Sequence, residues 1–388
     1  MRTETQIELV ERFARHLREG TTDRAPHNLR VPAAHYVDDA QTAREVEVLF
    51  RRRPLLVALT PDLPAPGAFV AHDAGDVGLL LVRDDRGRVR AYLNACRHRG
   101  ARLAEGRGTA RVFACPFHAW TWRRDGTLAA RPNSSGGFDA LGAACDRLWE
   151  RSCLEIAGMI FVLLEGDEIE RQVRELLGEA LADLEGFAIG ETSWFDSRQT
   201  ERDCNFKLIV DGFGESYHIA ALHHDTISPY YHCAQSLTDR MGRTIRMIGV
   251  RRSIDAELGK PREERRLLRH ATTQYLIPPN AVLTHQVDHI QLWRVYPLGG
   301  AHRCRVEFGL YWPKPLDDEA QRKCRLNVDL IWDVTTRQDF PQSVQIHRNL
   351  SSGAAPELVF GRNEPALVHW HQAIAAAIGS EHLTPIGD

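Results

Sequence analysis

A chain of 388 residues, 43% of them hydrophobic, carries enough apolar material for a substantial core and for two domains. Its 49 Lys and Arg stand against 52 Asp and Glu, and the formal charge of −3 offers no electrostatic basis for a nucleic-acid partner. The apolar run AGMIFVLL at 157–164 is far shorter than the roughly 20 residues that cross a bilayer, and the first residues lack the apolar centre of a signal peptide, so a cytoplasmic protein without membrane association is expected.

The opening MRTETQIELVERFARHLREG predicts a charged amphipathic helix, and 42–53 predicts another that ends in the basic FRRRP. From Leu55 the texture changes to short apolar runs broken by Gly, Pro and Asp. DDRGR (84–88) and RRDGTL (123–128) are hairpin signals, and AGMIFVLL reads as a buried strand, so 50–165 is expected to form a small all-β domain. GDEIERQVRELLGEALADL (166–184) has its apolar residues at helical spacing. Strands are expected in AVLTHQVDHIQLWRVYPL (281–298) and CRVEFGLYWP (304–313), and helices near 206–222, 317–338 and 364–377. The last has Asn363 as its N-cap and Glu364 in its first turn. Residues 166–388 thus read as an α+β domain, with 1–49 as a helical segment packing on it.

Without a secretory signal, the eight cysteines argue for thiols or metal ligands, not a disulfide framework. Six of them (145, 153, 204, 233, 304, 324) show no ligand spacing and read as small buried hydrophobes. The other two belong to a pattern: Cys96-x-His98, sixteen intervening residues, then Cys115-x-x-His118. Zinc is a competitor, because Cys2His2 suits tetrahedral coordination. Zinc fingers of that composition, however, take both cysteines from one knuckle and both histidines from one helix. One of each per loop suits a [2Fe–2S] cluster with two thiolates on one iron and two imidazoles on the other, which raises the reduction potential.

The loops CRHRGARL and CPFHAWTW resemble the cluster-binding loops of Rieske proteins. That resemblance implies Cys96 and Cys115 on one iron, with His98 and His118 on the other. Ala119 stands where the family more often has Gly, a change expected to matter little.

A second constellation lies in CNFKLIVDGFGESYHIAALHHDTISPYYH. On a helix through 206–222, Asp211, Glu215 and His218 share one face. A solvated acidic face would explain Asp211 alone, but not three histidines at 218, 223 and 224. Among the eighteen histidines only His218 has Glu three positions earlier, which removes a di-iron bundle with its two Glu-x-x-His motifs. A mononuclear site remains, and two histidines plus one carboxylate leave positions open on Fe(II). His218 and His223 lie roughly 140° apart on an ideal helix, so the helix is expected to widen or end within IAAL. His224 is otherwise a rival ligand. For the carboxylate, Asp329, Asp333 and Asp339 are comparable on the residues alone.

NFK…D…ESYHIAALH resembles the mononuclear-iron motif of Rieske non-haem iron oxygenase catalytic (α) subunits, the aromatic-ring-hydroxylating oxygenase family. RQDFPQSVQIHRNLSSGAAPELVFGRNEPALVHWH resembles the region that gives the third ligand. The likeness spans nearly the whole chain, about 31–378. It implies a Rieske domain at 50–165 and, at 166–388, a helix-on-antiparallel-sheet catalytic domain of the START-like type. It also implies His218, His223 and Asp339 as metal ligands, catalytic roles for Glu215 and Asp211, and a buttressing role for Lys207. Gly212 replaces a commonly found Asn, which puts a local hydrogen bond in doubt. In this family an electron passes from the cluster to the mononuclear iron of the next subunit of a homotrimer. By position, Glu215 would bridge His118 of one chain and His218 of the next, orienting both ligands. Most relatives carry Asp there, and Glu is known among those acting on quaternary ammonium compounds such as carnitine.

No G-x-G-x-x-G opens a strand–turn–helix unit, so NAD(P)H is expected to act only through a separate reductase, with or without a ferredoxin. The basic clusters at 51–53 and 96–102 are candidates for docking that partner, against the plainer reading of solvated surface. The substrate pocket is expected along YLIPPNAVLTHQVDHIQLWRVY (275–296) and at Tyr230 and Tyr231, where aromatics would stack on an arene or cage a quaternary ammonium. The expected function is oxygen activation at Fe(II) to hydroxylate, dihydroxylate or oxidatively dealkylate a small aromatic or hydrophobic substrate. The alternatives are a quaternary-ammonium monooxygenase and, from another class, a redox-sensing or ligand-binding protein lacking the catalytic iron.

Overall fold

The computed structural model describes residues 1–138, 145–313, 316–380 and 383–386. The chain divides into two compact units, Phe50–Val173 and Met1–Leu49 with Arg174–Asp388. No helix among the described residues is long and apolar enough to cross a membrane.

The Phe50–Val173 unit is built on a seven-stranded sheet and a three-stranded one. In the larger sheet the spatial order is Leu55–Leu59, Met159–Leu163, Glu150–Ile156, Val89–Leu93, Val77–Arg83, Ala68–Ala74 and Arg107–Thr109, each pair antiparallel. Met159–Leu163 is buried at every position, which is why its sequence runs apolar without alternation. DDRGR turns Val77–Arg83 back onto Val89–Leu93, and RRDGTL joins Thr121–Arg123 to Leu128–Ala130, as the turn residues predict. The core between the sheets contains Leu80, Val82, Tyr92, Phe113, Trp120 and Trp122, with Cys96 and Cys115 among them.

The other unit carries a seven-stranded antiparallel sheet in the order Thr192–Arg202, Cys304–Pro313, Ile290–Pro297, Ala281–His285, Ala271–Ile277, Thr244–Arg251, Tyr231–Met241. Helices Phe206–Phe213, Asp318–Val334 and Pro365–Ile378 pack on it. The N-terminal helix Thr3–Glu19 buries Leu9, Val10 and Phe13 against Leu237, Ile248 and Val250 of the sheet. Strand Asn28–Pro32 pairs with Glu357–Phe360 and Thr384–Ile386, which ties the first residues of the chain to its last.

Several helices differ from the sequence expectation. The one expected over 166–184 is two, Ile169–Leu177 and Ala180–Glu185. Gly178 separates them at φ +49, and a Cβ there would come within 2.7 Å of the Gly242 backbone. Two glycines therefore meet backbone to backbone, and this tertiary contact breaks the helix. The helix expected at 317–338 does not stop there. Asp318–Val334 widens into a π-turn over Thr335–Asp339 and continues as Phe340–Ser351. Pro341 lies directly after the π-turn, and a proline inside a continuing helix removes one backbone hydrogen bond, the kind of position at which helices distort. The last helix begins at Pro365 with Glu364, not Asn363, at its N-cap. The strands Thr192–Arg202, Tyr231–Met241, Thr244–Arg251 and Ala271–Ile277 had no distinct signal in the sequence.

Two candidate metal centres

In the Phe50–Val173 unit, Cys96 and Cys115 sit at the bases of two tight turns. Gly100 N donates to Cys96 O and Ala119 N to Cys115 O, at 2.8 and 2.9 Å. Both cysteines are buried and free, and burial, then the adjacent Cys115, pushes the Cys96 thiol up. The His98 and His118 ring centroids lie 4.6 Å apart, and His98 stacks on Trp120 at 4.9 Å. His98 Nδ1 is buried without a hydrogen-bond partner, a group whose desolvation a metal would offset. Two unoxidised thiols beside two imidazoles with an orphaned ring nitrogen fit a [2Fe–2S] cluster. One expectation needs correction. Ala119 has φ +58, in the left-handed region, so alanine in place of glycine carries a strain of about 1 kcal/mol.

In the other unit the site begins at Asn205, whose side chain caps helix Phe206–Phe213 by accepting from Lys207 N at 3.0 Å. Lys207 is fully buried against an equally buried Glu45, and burial draws its pKa below the usual lysine range against the pull of that carboxylate. Asp211 accepts from the Tyr36 hydroxyl and pairs with His371 Nε2, each at 2.8 Å. His371 Nδ1 in turn lies 3.2 Å from His35 Nε2. Asp211 thus makes its hydrogen bonds to the support behind the site and not to its histidines.

The helix ends at Gly214, where a Cβ would strike Leu367 Cδ2 at 2.3 Å. A first break therefore comes before His218, and a second helix end falls at Leu222, between His218 and His223 as expected. Ile219–Leu222 is itself a single helical turn with His218 at its N-terminal edge and His223 at its C-terminal edge. His223 lies past the end of that turn, at φ −108 and ψ 26, which frees its ring from the roughly 140° offset of a continuous helix. Glu215, Asp211 and His218 consequently do not share one helix.

The side chains of His218, His223 and Asp339 converge, each offering a ligand atom within 4.8 Å of the others. Asp339 closes the π-turn, and its Oδ1 lies 3.0 Å from His223 Nε2 and 3.5 Å from His218 Nε2. The other ring nitrogens are already engaged. His223 Nδ1 lies 2.6 Å from Gln338 Oε1, and His218 Nδ1 contacts Glu215 Oε1, while Glu215 Oε2 accepts from His218 N at 3.0 Å. Each imidazole thus has one nitrogen tied to an oxygen acceptor and the other facing the carboxylate, the arrangement that prepares a histidine for a metal. Burial opposes charge on His223, yet Asp339 outweighs it and holds the pKa above the usual range. The donor set fits a mononuclear Fe(II) with open positions.

The rival ligands lie elsewhere. His224 is exposed and paired with Asp225 at 2.8 Å. Asp329 pairs with Arg198, and Asp333 approaches Arg337 at 3.6 Å, both on exposed side chains.

A cavity of about 130 Å³ borders the three residues. One wall is aromatic, with Phe213 and Trp293 at a centroid distance of 5.1 Å and Phe340 beside them. The sheet side is polar: Thr272, Gln274, Thr284, Gln286 and Gln291 line it. Tyr231 faces this cavity, whereas Tyr230, expected there too, is exposed and lines an adjoining one. Sequence reasoning missed Gln338, Tyr36, His371 and the polar floor. The floor had a readable trace, since 272/274 and 284/286 are Thr-x-Gln pairs whose side chains share a face of a strand.

Residues 53–142 match the family described as Rieske [2Fe-2S] domain, and 191–380 the family described as ring hydroxylating alpha subunit (catalytic domain). The glycine betaine monooxygenase oxygenase subunit of Chromohalobacter salexigens is 26% identical over 374 residues, covering 84% of this chain and 80% of that one. Among solved structures, the quaternary ammonium Rieske monooxygenase CntA with L-carnitine matches at TM-score 0.77 and 19% identity, over 92% of this chain and 96% of that one. Naphthalene 1,2-dioxygenase from Rhodococcus sp. matches at TM-score 0.73 and 17% identity, over 97% and 98%.

Proposed function

We propose, for a chain that belongs to the Rieske non-haem iron oxygenase catalytic subunits, that the substrate is a small quaternary ammonium compound, mono-oxygenated at a carbon next to its nitrogen. Cys96, His98, Cys115 and His118 would hold the cluster, and His218, His223 and Asp339 the iron. When bound, the cluster supplies electrons from a separate reductase and the iron activates dioxygen. Gln338 and Glu215 keep the two imidazoles in register by accepting their Nδ1 protons. Phe213, Trp293 and Phe340 exclude water and offer π-faces to an ammonium group. Asp211 acts through its support of the site, with Tyr36 and His371. In this reading Glu215 would also meet His118 of an adjacent chain in a cytoplasmic homotrimer.

The observation that carries the substrate is the polar floor. Thr284 Oγ1 on that floor is buried without a hydrogen-bond partner and would stay unpaired against a hydrocarbon, whereas a small polar substrate can meet it. The cavity is also close in size to one that just admits benzene, so a trimethylammonium head fits and a fused arene does not without opening. A monocyclic arene is the second reading, favoured by the aromatic wall. With a reductase supplied, oxygen uptake is expected with glycine betaine, carnitine or choline and not with naphthalene. Uptake with arenes alone removes the proposal. The redox-sensor alternative has no support in a site whose histidines and carboxylate converge within reach of one metal.

A further inference from the structure

The cavity at the metal site adjoins a larger one of about 490 Å³, and the two share Ile227, Tyr231, Gln286 and Gln291. Along strand Thr244–Arg251, Met247 and Gly249 line the inner cavity and Arg251, next on the same face, lines the outer one. Arg251 is part-buried, and every hydrogen-bond partner it has is neutral. Its Nε donates to the Tyr231 hydroxyl at 3.3 Å and Nη2 donates to Gln286 Oε1 at 2.8 Å. Tyr231 and Thr272 hydroxyls are in turn 2.6 Å apart, and Thr272 donates to Gln286 at 2.8 Å. The guanidinium also lies 5.7 Å from the Tyr231 ring centroid. It is therefore fixed in place by three neutral contacts.

Arg246, on the opposite face of the same strand, shows what the fold does with a structural arginine: Asp183 and Asp239 grip it at 2.5 and 2.7 Å. Among the described residues no carboxylate lies within 4.0 Å of Arg251. Asp288, which lines the outer cavity, has its Oδ1 tied to His289 Nδ1 at 2.7 Å and feels Arg251 only at longer range, His289 being the main cause of its lowered pKa, and Arg252 adds a second positive charge there. At the inner end, Glu215 and Asp339 line the wall. Two carboxylates thus face the metal end, and two arginines against one carboxylate face the far end.

We infer that Arg251 is an anion-binding residue for the substrate's far end. It takes a carboxylate while the ammonium head lies in the inner cavity, and it makes the enzyme selective for zwitterions over ammonium alcohols. A partly desolvated guanidinium without an ion partner gains most from a planar anion, and its fork of donors matches a carboxylate. The assignment of a head and a tail rests on the quaternary-ammonium reading, while the anion site does not.

Calorimetry on the holoenzyme with three probes separates these. Glycine betaine and choline share a head and differ in tail, and 3,3-dimethylbutanoate keeps the carboxylate without the cation. In the unsubstituted enzyme, glycine betaine is expected to bind at least about tenfold tighter than choline, and 3,3-dimethylbutanoate to bind where its alcohol does not. Arg251→Met should weaken both carboxylates about tenfold to a hundredfold and shift choline less than about threefold, with kcat for glycine betaine within about twofold. Arg251→Lys should recover part of the loss. Unchanged cluster absorbance and iron content show that a variant is folded. An equal loss for choline, no loss for the carboxylates, or a preference of the unsubstituted enzyme for choline overturns the assignment. If 3,3-dimethylbutanoate binds through Arg251 while no ammonium compound binds, the anion site stands and the substrate reading falls.

Discussion

In the Phe50–Val173 unit the four candidate cluster ligands come from two tight turns between Cys96 and His118. In the other unit, Asp339 comes 116 residues after His223, on a different helical run. The first site is specified by covalent spacing: a turn of four or five residues holds Cys and His at a fixed offset wherever it is placed. The second exists only when helix Phe206–Phe213 ends at Gly214, which packs against Leu367, and when a π-turn swings Asp339 toward the histidines. The cluster site should therefore tolerate change elsewhere in the chain, and the catalytic site should respond to residues that touch no metal.

The largest expected effects test whether the two sites are separable. Cys115→Ala should abolish the cluster absorbance and turnover while leaving about one iron per chain. His218→Ala should do the converse, keeping the Rieske-type spectrum while substrate-dependent oxygen uptake falls more than about a hundredfold. If either variant loses both metals, the two sites are not independent. Glu215→Gln sharpens the comparison, because it is expected to retain all irons yet slow turnover about tenfold to a hundredfold. Normal turnover in stopped-flow reduction would refute its bridging role. Gln338→Leu removes the acceptor at His223 Nδ1 and should weaken iron binding about tenfold, read by chelator competition, with the cluster unaffected. The smallest effect lies in the cluster unit. Ala119→Gly should relieve the positive φ and raise that unit's stability by about 1 kcal/mol, measured by denaturant midpoint, without moving the spectrum.

Much was legible before folding was considered. The hairpins at DDRGR and RRDGTL, the buried strand at 159–163 and the amphipathic N-terminal helix follow from turn residues and periodicity. The helix limits near the catalytic site were not legible, because Gly178 and Gly214 act through contacts with Gly242 and Leu367, which are distant in sequence. Nor was the backbone conformation at Ala119, since a residue's φ in a tight turn is set by the loop that closes around it.

The sequence alone determined the Cys/His spacing in two loops, the His218/His223 pair and the lack of a dinucleotide motif, all local patterns that any fold of this chain must carry. On residue types alone Asp339, Asp329 and Asp333 were comparable; the family resemblance pointed to Asp339, and the tertiary structure brings that residue beside His218 and His223. It placed Gln338 behind His223, set a polar floor opposite an aromatic wall, and left Arg251 among neutral partners. The physical reason is that spacing along a short loop is a covalent constraint. The meeting of distant side chains is instead the sum of many weak packing contacts and exists only in the folded whole.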